Sequence, residues 1–488
     1  MTRLISLTTS LVLLATVLLS NEARGKGQPH HQHLAARKAD DAFNKQYLQQ
    51  NYQNGDAAPG AKDGDSPGQT VIINGNGGRD KNSQRPECPT VFIGTANVNG
   101  SPTAGWQGLP QIVGFDLDRK LNVGGGVQPV YIESNKDFKK AKRVVLVQPG
   151  LPRDSWSYVN IMRNSLLCAV SRADMDVTLP DVIVAAPAWL SEDDKNAGAA
   201  QDGDIYFSSG GWAVGSQSRG PGSTSVSSME VLDRVIDRFF SSEFPNVASV
   251  IVAGHSLGAS LTQRYAVLRR PSAQDTSVSY WVGNPGSYVW PVDSTPIQAA
   301  AGCTGVQDWS YSIDNGVPAY RSADAKKDKN AVLQQYFSRK VQYALGLTDQ
   351  EGGDTHCEAA TQGSSHLQRG QNLEKALDGL SGGKPQSHTF NYVADTAHED
   401  YLMMTAPESQ KFLFVDGLSA QRAQNVSDSS SSSGSSSSST TTSSSGSSGN
   451  SSGGGSGTGS SGALPTILAK PLNAVALGCL ALTIVLAL

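Results

Sequence analysis

Three near-continuous apolar runs interrupt an otherwise polar chain. They are Val144 to Gln148, Val182 to Ala186 and Ser249 to Ala253. Strands buried on both faces of a parallel sheet have this pattern, because helices cover both sides. Between the second and third runs, apolar residues recur at helical spacing from Met229 to Phe239, which predicts a crossover helix.

Further strands are predicted at Ser277 to Val282, Val341 to Leu345 and Phe390 to Val393. Strands that alternate with helical patterns indicate an α/β fold. We therefore predict one large domain over residues 88–417, built on a mostly parallel, doubly wound sheet.

The N-terminal residues have the layout of a secretory signal peptide. Arg3 precedes an apolar stretch from Leu4 to Leu19, so residues 1–20 are expected to be removed. Residues 21–87 are polar and poor in aromatics, which predicts a disordered leader or pro-segment.

The C-terminal residues indicate a membrane anchor. Residues 418–462 contain a tract rich in Ser, Gly and Thr and are expected to form a flexible stalk. In residues 463–488, a short spacer leads to an apolar tail from Leu472 to Leu488, as in signals for a glycosylphosphatidylinositol (GPI) anchor. A single spanning helix is the alternative, but about 17 apolar residues is at the lower limit for spanning. The sequence predicts a protein on the cell surface, held at the outer plasma membrane or cell wall.

The cysteines agree with secretion. Cys479 lies in the removable tail, and the other four can form two disulfides in an oxidising compartment. Of the three possible pairings, sequence proximity favours Cys88 with Cys168 and Cys303 with Cys357. Acceptor sequons for N-glycosylation begin at Asn99, Asn425 and Asn450.

Charge and composition exclude some function classes. The chain of 488 residues has a formal net charge of -4, so it lacks the basic surplus that nucleic-acid binding uses. His30, His31 and His33 fit a solvated polar tract better than a metal site. We expect a monomer that works without a cofactor or a metal.

The segment from Gly254 to Gly258 carries the main chemical signal. Its Gly-His-Ser-Leu-Gly sequence stands between a predicted strand and a predicted helix, the context of a nucleophile elbow with Ser256 as nucleophile. Gly449 to Gly453 matches the same pattern inside the stalk, but it has neither the strand nor the helix.

A serine nucleophile needs a base and an orienting acid, which follow it in the order acid, then histidine. His398 follows the last predicted strand and is the preferred base; the other histidines after Ser256 are His356, His366 and His388. The preferred acid is Asp349, which follows the strand from Val341; Asp354, Asp314 and Asp395 are the alternatives.

An oxyanion hole in such a site uses two backbone N–H groups. Leu257, directly after the nucleophile, is expected to supply one. Leu151, in the Pro149-Gly150-Leu151 segment after an early strand, is expected to supply the other.

Several segments together resemble secreted or membrane-tethered fungal α/β-hydrolases of largely undefined substrate. They are Gln148 to Leu151 with Arg153-Asp154, Val252 to Gly258, Asn284 to Tyr288, Tyr343 to Asp349, and Asp354 to Cys357 with Gln362-Gly363. The resemblance implies the α/β-hydrolase fold and the triad Ser256, Asp349 and His398.

We therefore expect a serine hydrolase that acts on small-molecule or lipid-like carboxylic esters. Amidase or peptidase activity could use the same triad. A cell-surface or adhesin-like protein that retains the fold without catalysis is the alternative from another class, because a fold does not guarantee activity.

Overall fold

The computed structural model describes residue 88 and residues 98–112, 114–134 and 136–418. The predicted signal peptide, leader and anchor signal lie outside the described residues, as do Asn425, Asn450 and the stalk beyond residue 418. Asn99 is exposed just before a short strand. Among the described residues, no helix is both long and apolar enough to cross a bilayer.

An eight-stranded sheet forms the centre of the domain. Its order is β8-β7-β6-β5-β3-β4-β2-β1, and every neighbouring pair from β8 to β4 is parallel. Only β1 and β2 at one edge run antiparallel to their neighbours. The strands are β1 (Phe115–Asp118), β2 (Val130–Glu133), β3 (Arg143–Gln148), β4 (Val182–Pro187), β5 (Ser249–His255), β6 (Val278–Gly283), β7 (Lys340–Gly346) and β8 (His388–Val393).

Helices follow or precede most of the parallel strands. They are α1 (Ser155–Ser171), α2 (Glu192–Ala197), α3 (Ser228–Phe239), α4 (Leu257–Leu268), α5 (Ser322–Lys327), α6 (Lys329–Ser338), α7 (Cys357–Ala360), α8 (His366–Asp378), α9 (Asp400–Thr405) and α10 (Pro407–Gln410), followed by a π-helical turn, Lys411–Val415. Short 3₁₀ turns occupy Leu179–Asp181, Gly211–Ala213, Asp275–Ser277 and Gly305–Gln307. Two small hairpins pair Gly100–Ser101 with Gly105–Trp106 and Asn122–Val123 with Gly126–Val127.

Each face of the sheet packs against its own hydrophobic core, and successive side chains of β3 alternate between the two. Val144 and Leu146 pack in one core, which includes Tyr265 of α4. Val145 and Val147 pack in the other, which includes residues of α1 and α9. This arrangement confirms the mostly parallel, doubly wound sheet and explains why the central strands β3, β4 and β5 are mostly apolar.

Two disulfides join distant parts of the domain. Cys88 is bonded to Cys168 in α1, and Cys303 is bonded to Cys357 at the start of α7. These are the pairs favoured by sequence proximity.

Candidate active site

Ser256 lies in a strained turn between β5 and α4. Its φ of 59° and ψ of −127° belong to a region that residues with a side chain rarely adopt. The flanking glycines are required by close backbone contacts: a Cβ on Gly254 would lie 2.1 Å from the carbonyl oxygen of Gly258. This geometry is that of a nucleophile elbow.

The same turn is in contact with the loop after β3. A Cβ on Gly258 would lie 2.4 Å from the carbonyl oxygen of Pro149. Leu257 is the first residue of α4, where backbone N–H groups have no partner within the helix. The loop that carries Leu151 therefore approaches the first turn of α4, as an oxyanion hole built from these two residues requires.

A buried ion pair fixes the end of this loop. Arg153 has a φ of 62°, and its guanidinium donates to the Asp194 carboxylate from Nε at 2.8 Å and from Nη2 at 2.9 Å. Trp106 Nε1 donates to the carbonyl oxygen of Pro152 at 2.7 Å. Bidentate arginine–carboxylate pairs are geometrically specific, so the loop has a defined conformation.

Asp349 and His398 are joined by a hydrogen bond. The Oδ2 atom of Asp349 lies 2.7 Å from Nδ1 of His398. The Asp349 side chain is fully buried, whereas that of His398 is 21% exposed. With its Nδ1 proton donated to the carboxylate, a neutral His398 presents Nε2 as an acceptor.

Backbone contacts bring the segments after β7 and β8 together. Gly346 ends β7, and a Cβ there would lie 2.5 Å from the carbonyl oxygens of Thr396 and Ala397. Asn284, after β6, accepts from the Gly346 N–H at 2.8 Å and donates to the Ala397 carbonyl at 2.9 Å. Asn284 thus links both segments, a role that the sequence reasoning did not assign.

His398 also lies beside the nucleophile segment. Its ring centroid is 4.6 Å from that of His255, the residue directly before Ser256. The Tyr158 hydroxyl lies 3.4 Å from Nδ1 of His255. The structure therefore gathers Ser256, Asp349 and His398 at the carboxyl ends of β5, β7 and β8, which is the side of open α/β sheets where ligands bind.

A second histidine contacts the same carboxylate. Nδ1 of His366 lies 3.0 Å from Oδ1 of Asp349, and the His366 and His398 rings stack with centroids 4.2 Å apart. Burial acts to raise the pKa of Asp349, but hydrogen bonds from the two histidines outweigh it and hold the pKa well below the usual range. Asp349 is therefore ionised at neutral pH.

Asp354 has different partners from Asp349. Its carboxylate accepts from Ser287 at 2.7 Å, from Tyr311 at 3.0 Å and from Nδ1 of His356 at 2.6 Å. Burial acts to raise the pKa of Asp354, but hydrogen bonds led by Ser287 and His356 lower it overall. This network takes up both carboxylate oxygens.

The remaining alternatives also lie in other surroundings. Asp314 accepts hydrogen bonds from Ser312 and Lys329, and Asp395 is an exposed residue with a φ of 51°. His388 begins β8, at the opposite end of the strand from His398, and burial lowers its pKa to about 4.

Asp349, His366 and His398 each offer an atom that could bind a metal, and these atoms lie within 4.8 Å of one another. In the structure, the Nδ1 atom of each histidine instead lies at hydrogen-bonding distance from a different oxygen of the Asp349 carboxylate. Cys303, Cys357 and Glu358 form a second such group, in which the two sulfurs are bonded to each other.

The strand order and the strand–turn–helix around Ser256 define an α/β-hydrolase fold.

No family model and no curated protein matches the chain. Among solved structures, the chain is similar to poly(aspartic acid) hydrolase-1 from Sphingomonas sp. KT-1, with 17% identity over 62% of this chain and 98% of that one and a TM-score of 0.44. It is also similar to a poly(3-hydroxybutyrate) depolymerase from Bordetella parapertussis, with 15% identity over 63% of this chain and 94% of that one and a TM-score of 0.42. A siderophore hydrolase from Aspergillus nidulans has 13% identity over 64% of this chain and 95% of that one, with a TM-score of 0.34.

Proposed function

We propose that this chain is a serine hydrolase that cleaves carboxylic esters through an acyl-enzyme on Ser256. The observation that carries the proposal is the hydrogen bond from His398 to the buried Asp349, formed beside a serine in a strained turn. An imidazole oriented by a buried carboxylate is what a serine hydroxyl needs to become a nucleophile near neutral pH.

In the proposed reaction, Nε2 of His398 accepts the proton of Ser256 as Oγ attacks the ester carbonyl carbon. The N–H groups of Leu151 and Leu257 stabilise the resulting oxyanion. The imidazolium returns its proton to the leaving alcohol, and an ester joins the acyl group to Ser256. Water activated by His398 then releases the acid and restores the serine. Throughout the reaction, Asp349 keeps a proton on Nδ1 of His398, so that Nε2 is the atom that accepts and donates the transferred proton.

The proposed substrates are small-molecule or lipid-like esters. Leu151 is 63% exposed and Leu347, directly after β7, is 42% exposed, so apolar side chains lie on loops at the carboxyl ends of the strands. Exposed leucines here favour substrates with an apolar acyl or alcohol part. Amide or peptide hydrolysis would use the same residues and is distinguished by assaying matched ester and amide substrates.

Asp349→Asn is expected to lower kcat by about 10³- to 10⁴-fold while the domain stays folded. His366 would still donate to the amide oxygen at position 349, which turns the amide nitrogen toward His398. That nitrogen cannot accept the Nδ1 proton, so His398 would adopt the unproductive tautomer. Steady-state kinetics with a model ester, together with circular dichroism, measures both effects.

Asp354→Asn is the matched control, since it makes the same change five residues later. We expect it to lower the thermal midpoint, because it disturbs the hydrogen bonds from Ser287, Tyr311 and His356, and to change kcat by less than about 10-fold. A harmless Asp349→Asn beside an inactive Asp354→Asn would show that the acid has been assigned to the wrong residue.

We further propose that the enzyme is held on the outside of the cell by a GPI anchor that replaces the C-terminal tail. The apolar stretch from Leu4 to Leu19, the Ser/Gly/Thr-rich tract and the short spacer before the apolar tail from Leu472 support this location. Phosphatidylinositol-specific phospholipase C is expected to release the protein from membranes, and deletion of residues 464–488 is expected to yield a soluble secreted form. A protein that only detergent releases, with a deleted form that stays in the membrane, would contradict the anchor.

A further inference from the structure

His366 has no role in the proton transfers described above, yet it contacts two members of the proposed triad. Its Nδ1 lies 3.0 Å from Oδ1 of Asp349, while His398 uses Oδ2. Its side chain is 2% exposed. A buried donor on the far oxygen acts on the carboxylate and has no access to the reacting atoms.

The second contact is with the base itself. The His366 and His398 rings stack at 4.2 Å with an angle of 21° between their planes. Rotation of the Asp349 carboxylate would break the bond to His366, and tilting of the His398 ring would meet the His366 ring. One side chain therefore opposes both of the movements that would separate the acid from the base.

His366 is itself fixed in place. It is the first residue of α8, and its N–H donates to the Glu351 carbonyl at 2.9 Å. Gly353 has a φ of 59°, and a Cβ there would lie 2.1 Å from Nε2 of His366. The backbone at Gly353 thus packs against the far edge of the ring and leaves it no room to withdraw.

We propose that His366 is a positioning residue that keeps Oδ2 of Asp349 and Nδ1 of His398 aligned while His398 gains and loses its proton. The inference rests on the proposed function, because it assigns His366 a part in that same reaction. Misalignment of a catalytic group by about 1 Å can cost on the order of 10²-fold in rate, so the expected effect is large enough to measure.

The first test compares three substitutions. His366→Phe keeps a ring for stacking but loses the donor, and it is expected to lower kcat by about 10- to 100-fold with little change in KM. His366→Asn places an N–H donor near the position of Nδ1, and it is expected to recover most of that loss. His366→Gln carries its donor one bond further out and is expected not to recover it. If His366→Phe does not fold, the comparison of Asn with Gln carries the test.

The second test is a double-mutant cycle with Asp349→Asn. If His366 acts through the carboxylate, His366→Phe is expected to lower kcat by less than about 3-fold in the Asp349→Asn background. A loss in kcat that is the same in both backgrounds would mean that His366 acts independently of the Asp349 carboxylate, and the inference would be wrong.

Three other outcomes would overturn the inference. The first is wild-type kcat in His366→Phe, and the second is an Asn variant as slow as Phe. The third is loss of wild-type activity on addition of a chelator and its recovery with Zn²⁺, since Asp349, His366 and His398 would then be metal ligands. Activity retained by Ser256→Ala identifies failure of the proposed function itself, because that variant leaves His366 and its contacts unchanged.

Discussion

Ser256→Ala is expected to lower kcat for a model ester by about 10⁶-fold, with secretion and thermal stability close to wild type. Oγ is the atom that forms the acyl-enzyme, and no other group can take its place in that step. The change removes one partly exposed hydroxyl from a turn whose conformation is held by backbone contacts of Gly254 and Gly258. Initial-rate kinetics on purified protein, with circular dichroism beside it, measures the effect.

Ser260→Ala is the matched control for this variant. Ser260 lies one turn further along α4, is buried, and donates to the Ser287 carbonyl at 3.1 Å. We expect its kcat to stay within about 10-fold of wild type, since it loses one hydrogen bond away from the reacting atoms. More than a tenth of wild-type activity in Ser256→Ala would contradict the assignment of the nucleophile.

His398→Ala is expected to have nearly as large an effect, about 10⁵- to 10⁶-fold in kcat. Without the imidazole, the Ser256 proton has no acceptor, and the leaving alcohol has no donor. His366 cannot substitute, because its Nδ1 is bonded to Asp349 and Gly353 packs against its Nε2 edge. The measurement is single-turnover acylation, which isolates the step that needs the base.

His356→Ala provides the comparison, since it removes a histidine that is hydrogen-bonded to an aspartate outside the proposed triad. The side chain of His356 is 73% exposed and is bonded to Asp354. We expect acylation by this variant to remain within about 10-fold of wild type. Equal losses in the two histidine variants would mean that His398 is not the base.

The central strands β3, β4 and β5 could be predicted from the sequence because each is mostly apolar on both faces, whereas the edge strand β8 carries His, Thr and Asn and is only partly buried. Six predicted strands are found in the sheet, with bounds that differ by no more than two residues at either end. The antiparallel strands β1 and β2 were not predicted. Each has four residues, and the burial of β1 declines along its length, so neither has a long apolar run or a clear alternation.

The site was less accessible to sequence reasoning. Asp349 and Asp354 both follow β7, and the sequence favours Asp349 only because it lies closer to the end of the strand. In the structure the two differ in their long-range partners, since Asp354 accepts hydrogen bonds from Ser287 and Tyr311. The contact of His366 with Asp349 depends on how the chain folds back between β7 and α8. Chain order alone made His366 a rival of His398 and could not indicate that the two would share one carboxylate.

The central claim, an activated nucleophile at Ser256, is tested most directly by labelling the intact protein with a fluorophosphonate. Attack by Oγ on phosphorus expels fluoride and leaves a covalent phosphonyl adduct on the serine, whatever the natural substrate is. The account predicts a stoichiometric adduct that mass spectrometry of the digested protein locates at Ser256, with labelling retained in Ser260→Ala and lost in Ser256→Ala. Folded wild-type protein that remains unlabelled, or that carries the adduct on another serine, would contradict it.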